Sequence, residues 1–282
     1  MKQYGLYAFA DEAGGELSVQ IKAMQRNCLQ GLEIRNVNGM NVSALTSAQA
    51  REIRRQLDDA GLRVWSLGSP IGKIDIVKDD YPAHLEALKN TIDVAHELGT
   101  ENIRMFSFYM PAGEDPAAYR NQVIDRLGEM AAMAKAGSVV LCHENEKGIY
   151  GDNAARCLDV LKAVPELACV FDPANFVQCG QDTAEAWTML ADRVRYLHIK
   201  DALANGQVVP AGLGIGHVAD IVKDYVARGG IAMTLEPHLF EFVGLSSLER
   251  EGEKSVVGQL HFANPGEAFD AACSALKAIL SE

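Results

Sequence analysis

The sequence predicts an α/β fold, a single (β/α)8 barrel in which each of eight parallel strands is followed by a helix. Three observations lead there. Short apolar β-rich runs alternate with helical patterns eight times along the 282 residues, and strict alternation implies parallel strands joined by crossover helices. Units of about 35 residues suit a closed barrel, whose usual size is roughly 250 residues plus insertions. Four of the runs also end abruptly in ionisable side chains, which are costly to bury unless something pairs with them. A doubly wound open sheet would satisfy the alternation alone. A closed barrel also gathers the carboxyl ends of strands five to eight around one mouth, so the polar ends favour the barrel.

The expected strands, in order, are Tyr4–Ala10, Gly31–Arg35, Leu62–Leu67, Glu101–Phe106, Ser138–Cys142, Ala168–Asp172, Val194–Ile199 and Ile231–Glu236. The expected helices are Leu17–Leu29, Thr46–Ala60, Tyr81–Leu98, Pro116–Ala136, Asp152–Ala163, Thr183–Leu190, Val218–Arg228 and Gly266–Leu280. In the fourth helix, Ile124, Leu127, Met130, Ala131 and Ala134 make an i, i+3, i+4 stripe. Gly61, Gly99 and Gly137 each follow a helix and precede a strand, where a C-cap glycine belongs. Asp152 and Asp182 are the expected N-caps of helices five and six. No linker or low-complexity run divides the chain, so residues 1–282 read as one domain. The one irregular connection, Leu239–Asn264, carries Phe240, Phe242, Leu245, Leu248 and Phe262. A loop this long reads equally as a lid over the mouth or as a contact in a homo-oligomer.

Hydrophobic content of 48% and charged content of 23% leave ample material for a core. A formal net charge of −12 argues against nucleic acid as a partner, since phosphate neutralisation needs a basic face. Some of that acidity suits site carboxylates awaiting a cation. The six cysteines form no CxxC pair, and Cys142 and Cys169 lie inside apolar strands, as small core hydrophobes of a reducing compartment do. The start of the chain, MKQYGLYAFADE, has no apolar signal core, and no run approaches a membrane span. The expectation is a cytoplasmic protein with no membrane partner.

The stretch SVVLCHENEKGIYG (residues 138–151) organises the rest. An apolar strand runs there straight into His143, Glu144, Asn145 and Glu146, and three later strands end alike: CVFDPANF at Asp172, RYLHIKD at His198 and MTLEPH at Glu236. Side chains alternate along a strand, so Val140, Cys142 and Glu144 share a face, as do Tyr196 and His198, or Thr234 and Glu236. If the polar ends point inward, the mouth holds three carboxylates and one imidazole. Without a cation these carboxylates would repel, and one would have to take up a proton. A divalent ion resolves the conflict. An oxygen-rich set with one nitrogen favours manganese, magnesium or cobalt, with zinc less expected. Face parity puts Glu146 on the same side as Glu144, so alternation alone does not choose between them.

HENEKGIYGD, FDPANF, HIKDA and LEPH, with Glu, Asp, His and Glu in that order at strand ends five to eight, resemble the xylose isomerase-like TIM barrels. Within them the closest pattern is the sugar phosphate isomerase/epimerase group that includes ketose 3-epimerases. The resemblance covers essentially the whole chain. It implies that Glu144, Asp172, His198 and Glu236 ligate a divalent metal, and that Glu144 and Glu236 double as the catalytic acid–base pair. It further implies an isomerase or epimerase acting on a sugar or sugar-like polyol by proton transfer through a metal-stabilised cis-enediolate. The alternative on the same scaffold is an inosose dehydratase-like lyase, which would lose water after the same proton abstraction. Asn175 stands where ketose 3-epimerases carry a histidine, and Lys200 stands two residues past the histidine ligand. Asn175, Lys200, Glu146 and His238 are the candidates for holding substrate. An endonuclease of the same superfamily, which uses three zinc ions and further histidines, fits poorly with Asn175 and the acidic balance. A barrel that only binds a ligand would have no need of a buried tri-carboxylate cluster.

Glu33 and Arg104 lie within strands two and four and read as a buried ion pair rather than substrate ligands. Gly212, Gly214 and Gly216 precede a helix after strand seven, a position where barrels often bind phosphate. Trp65 and Phe106 are candidates for an apolar wall against a sugar. His84, His96, His217 and His261 have no assigned role.

Overall fold

A computed structural model describes residues 4–240 and 262–281. Eight strands form a closed parallel barrel: β1 (Gly5–Ala8), β2 (Gly31–Ile34), β3 (Arg63–Gly68), β4 (Asn102–Met105), β5 (Val140–Glu144), β6 (Ala168–Phe171), β7 (Val194–Ile199) and β8 (Ala232–Leu235). Each strand lies beside its chain neighbours, and β8 closes on β1 with Gly5 opposite Ala232 and Ala8 opposite Leu235. Outside run α1 (Leu17–Arg26), α2 (Ser47–Asp59), α3 (Tyr81–Leu98), α4 (Arg120–Ala136), α5 (Ala154–Ala163), α6 (Thr183–Leu190), α7 (Val218–Ala227) and α8 (Pro265–Ile279). None of the described helices is long and apolar enough to cross a membrane.

Local chemistry explains most boundaries. Thr46 and Gln49 form a reciprocal capping box that starts α2. Asp80 caps α3, which ends at Gly99 in the left-handed region, and Asp182 caps α6 as expected. One cap expectation is corrected. Asn153, not Asp152, accepts the amide of Arg156 at the start of α5, because Asp152 is drawn to the Arg156 guanidinium. Gly137 is the C-cap of α4 as expected, at φ −82, and the positive φ falls on the next residue, Ser138 (φ 56). The turn thus extends one residue past the cap, and β5 begins at Val140 and carries Glu144 inside the strand.

The alternation of side chains divides the interior in two. Outward residues such as Leu32, Ile34, Leu67, Ile103, Leu141 and Leu197 pack against the helices in the main core. Inward, Tyr7, Cys142, Val170, Tyr196 and Ala232 fill the barrel, with Trp65, Val140 and Ala168 packed on them. Trp65 stacks on Tyr7 (ring centroids 5.3 Å apart) and meets Tyr196 edge-on at 5.7 Å. It therefore belongs to the barrel floor, not to a wall of the mouth, because it lies near the start of β3 rather than at its carboxyl end. Other elements lie beyond the expected set, among them the Asp201–Ala202 and Val208–Val209 hairpin after β7. Asn36–Val37 and Met40–Asn41 form a hairpin after β2, and Pro173–Gln178 forms a short helix immediately after β6. The connection expected as a lid or oligomer contact lies, over residues 241–261, outside the described residues.

Candidate metal centre

The four strand ends meet. One donor atom from each of Glu144, Asp172, His198 and Glu236 lies within 4.8 Å of the others, and all four residues are buried. Each is delivered by the carboxyl end of a successive strand, β5 to β8. His198 Nδ1 is 2.8 Å from Glu144 Oε1 and 3.6 Å from Glu236 Oε2. The distinction that alternation left open between Glu144 and Glu146 is made by distance: Glu146 turns away to accept from Lys73 Nζ at 2.9 Å. Lys73 in turn lies 4.4 Å above the Phe106 ring.

Asp172 leaves β6 at once to cap the short helix, whose first residue is Pro173. Its Oδ1 accepts the amide of Asn175 at 2.9 Å, while its Oδ2 lies 2.9 Å from the Lys200 ammonium. The Asn145 side chain clasps the same residue, donating to the Asp172 carbonyl and accepting the Asp172 amide, both at 2.9 Å. Asn175 Nδ2 reaches the Asn145 carbonyl at 2.9 Å and Glu144 Oε1 at 3.4 Å. Lys200 Nζ also lies 2.8 Å from Glu236 Oε2. Asn175 and Lys200 are thus brought into the cluster itself.

Three buried carboxylates in one place are electrostatically unhappy. Burial, aided by Glu236 and Glu144 and opposed by Lys200, pushes the Asp172 carboxyl up to about 7. Burial opposes charge on His198, yet Glu144 and Glu33 raise it well above the ordinary imidazole range. Glu236 is held well below the carboxylate range despite its burial, chiefly by Lys200 and His238. The donor set therefore asks for positive charge. Asp172 Oδ2 is buried and receives no aligned hydrogen bond, and three oxygens with one nitrogen match the hard-to-borderline divalent ions. These residues fit a metal.

Behind the cluster, Glu33 does not pair with Arg104 as expected. Its Oε2 takes His198 Nε2 at 3.1 Å and its Oε1 accepts from Tyr196 Oη at 2.9 Å. Arg104 Nε stands 3.3 Å from Glu144 Oε2 instead. The two charges back different ends of the cluster because β2 and β4 are not neighbours around the barrel.

A family model described as xylose isomerase-like TIM barrel matches residues 23–251. This chain belongs to that family. Among solved structures, the xylose isomerase-like barrel is similar to the probable 3-DHS dehydratase AsbF of Bacillus anthracis, at 16% identity and a TM-score of 0.73, covering 100% of this chain and 99% of that one. It is similar to D-allulose 3-epimerase of Methylomonas sp., solved with D-allulose, at 18% identity and a TM-score of 0.72, covering 100% and 98%. A xylose isomerase-like TIM barrel protein from Mycobacterium smegmatis in complex with magnesium matches at 15% identity and a TM-score of 0.69, covering 99% and 96%. At these identities the likeness is one of fold. A comparison with curated proteins returns no match.

In this xylose isomerase-like barrel the glycine loop after β7 is not a phosphate cradle. Its amides already hold an internal anion: Gly212 N and Gly214 N donate to Asp201 Oδ2 at 2.9 and 3.0 Å, and Gly216 N to Oδ1 at 2.9 Å. A Cβ on Gly214 would fall 2.3 Å from Asp201 Oδ1, so the alternating glycines make room for this carboxylate. His238, with φ 45, sits beside the mouth, its Nε2 3.4 Å from Glu236 Oε1 and 3.5 Å from Glu12 Oε1. Asp11, Glu12 and Arg35 complete that flank. They went unrecognised in the sequence, although FADE and EIR carry the same signal as the later strands, an apolar run ending in charge.

Proposed function

We propose that this protein is a divalent-metal-dependent isomerase or epimerase of a sugar or sugar-like polyol. The observation that carries the reading is the buried convergence of Glu144, Asp172, His198 and Glu236 at the barrel mouth. These four residues would hold the ion. When bound, it would polarise a substrate carbonyl and acidify the adjacent C–H.

The protein's own groups supply the rest. Glu144 and Glu236 come from β5 and from the end of β8, so they approach the mouth from different sides. In this reading one removes the proton from a substrate carbon, and the other returns it to the opposite face or to the neighbouring carbon. Lys200 would hold a substrate oxygen while keeping Glu236 ionised, ready to act as base. Asn175 would orient Glu144. Glu146, held by Lys73, and His238, beside Glu236, would take outlying hydroxyls.

A dehydratase is the second reading, and Lys200 supports it. An ammonium 2.8 Å from the carboxylate that moves the proton is placed to protonate a departing hydroxyl. Incubating the manganese-loaded protein with ketoses and inososes in deuterated water separates the two. Deuterium at a stereocentre without water loss marks epimerisation or isomerisation, and an unsaturated product marks dehydration. E144Q and E236Q should each lower turnover by about 10²–10⁴-fold. Full turnover in both variants would overturn the acid–base assignment.

A further inference from the structure

Beside the four-residue cluster lies a second set of converging donors, Glu12, Glu236 and His238, whose ligand atoms also fall within 4.8 Å of one another. Glu236 belongs to both sets. A two-ion centre bridged by Glu236 is the arrangement such a donor pattern suggests.

Arg35 stands in the way. Its buried guanidinium has five N–H donors, and four of them donate to carboxylate oxygens on this flank. Nε and Nη2 form a fork on Asp11, at 3.0 and 3.1 Å. Nη2 also donates to Glu12 Oε1 at 3.0 Å. Nη1 lies 3.1 Å from Glu236 Oε1 and 3.3 Å from His238 Nε2. The oxygens that would face a second ion are thus already engaged: Glu12 Oε1 and Glu236 Oε1 accept from Arg35, and Glu12 Oε2 accepts the His238 amide at 2.6 Å. The Phe9 ring, 4.6 Å from the guanidinium carbon, backs it.

We infer that Arg35 is the resident cation of the second cluster, making the centre mononuclear and dedicating the two oxygens of Glu236 to separate tasks. Oε1 is anchored to the guanidinium. Oε2, 2.8 Å from Lys200 and 3.6 Å from His198 Nδ1, is left to face the first cluster. Arg35 is a positioning residue, acting on the reaction through Glu236. The inference rests on the reading of the first cluster as a metal site, and the test separates the two.

Native mass spectrometry and calorimetric titration with Mn²⁺ would count ions on the wild type, D172N, R35K and D11N/R35M. The double variant removes a cation together with an anion, so the flank keeps its charge balance while the guanidinium is lost. The wild type should take one ion per chain and D172N should lose it. R35K should still take one, the ammonium filling the same place. D11N/R35M should take one more than the wild type. Two ions on the wild type, or no additional ion on D11N/R35M, overturns the inference. Loss of the wild-type ion in a form D172N does not affect overturns only the assignment of the first cluster. E12Q, which keeps Arg35, gives an independent check that does not depend on the double variant folding. It should leave stoichiometry unchanged and affinity within about threefold, whereas a two-ion centre would lose an ion.

Discussion

His198 shows how much of the site depends on a single residue being held from both sides. Glu33 takes Nε2 and the cluster takes Nδ1, so the ring cannot swap its nitrogens without abandoning a buried partner. Tyr196 and Ser66 extend the support, the Ser66 and Tyr196 hydroxyls being 3.1 Å apart. E33Q should therefore weaken Mn²⁺ binding by about 10–100-fold with the fold intact, measured by calorimetry beside circular dichroism. Unchanged affinity would reduce Glu33 to packing. The four proposed ligands were legible in the sequence because each follows its own apolar run directly. Glu33 and Arg35 were not legible as partners of the site. Glu33 read as one half of an ion pair with Arg104 rather than as a partner of His198, and the contact from Arg35 to Glu236 joins residues 201 apart. Nothing local encodes that.

His84 is a second residue whose charge state is fixed by its surroundings. It accepts the Gly72 amide on Nε2 at 2.7 Å, and burial, outweighing nearby Asp79, pushes it down to about 4 from 6.5. The unfolded chain binds this proton more readily, so the neutral ring stabilises the fold above about pH 6.5, and that contribution is lost as pH falls towards 4. His143, also held at about 4 by burial, adds in the same window. The difference between wild type and H84N in urea titrations isolates the first. The wild type should lose up to about 3 kcal/mol more than H84N between pH 7 and pH 4.

At the scale of elements, the loop after β7 is ordered by an anion of its own. Asp201 accepts the Ala202 amide as well as those of three glycines. D201N should destabilise by about 2–3 kcal/mol in urea denaturation, because an amide nitrogen would face backbone N–H groups. The glycine spacing was visible from the start, but its ligand was not. Alternating glycines announce an oxyanion without saying whether it is a substrate's or the protein's. The short helix after β6 escaped the sequence reading for a related reason. At six residues it is too brief for a periodic stripe, and only the Asp-Pro pair at its start announces it.

Across the whole molecule, the alternation of strands and helices was read correctly because it is written into consecutive residues, whereas the ends of strands were decided by turn residues such as Ser138 that need the tertiary frame. If the mouth holds an ion, folding and metal binding are linked. Manganese at about 100 times its dissociation constant should stabilise the wild type by about 2.7 kcal/mol in thermal or chemical melts, and D172N should show no such gain. An equal gain in D172N would place the ion elsewhere.

The stacked rings of Tyr7, Trp65 and Tyr196 have a consequence for the order of events. They plug the barrel beneath His198, so among the described residues the carboxylates are approached from the mouth. Traffic through one mouth is sequential. If the proposed function holds, an ion seated at the bottom would arrive before the substrate and depart after it, so a bound polyol would act as a stopper against chelators.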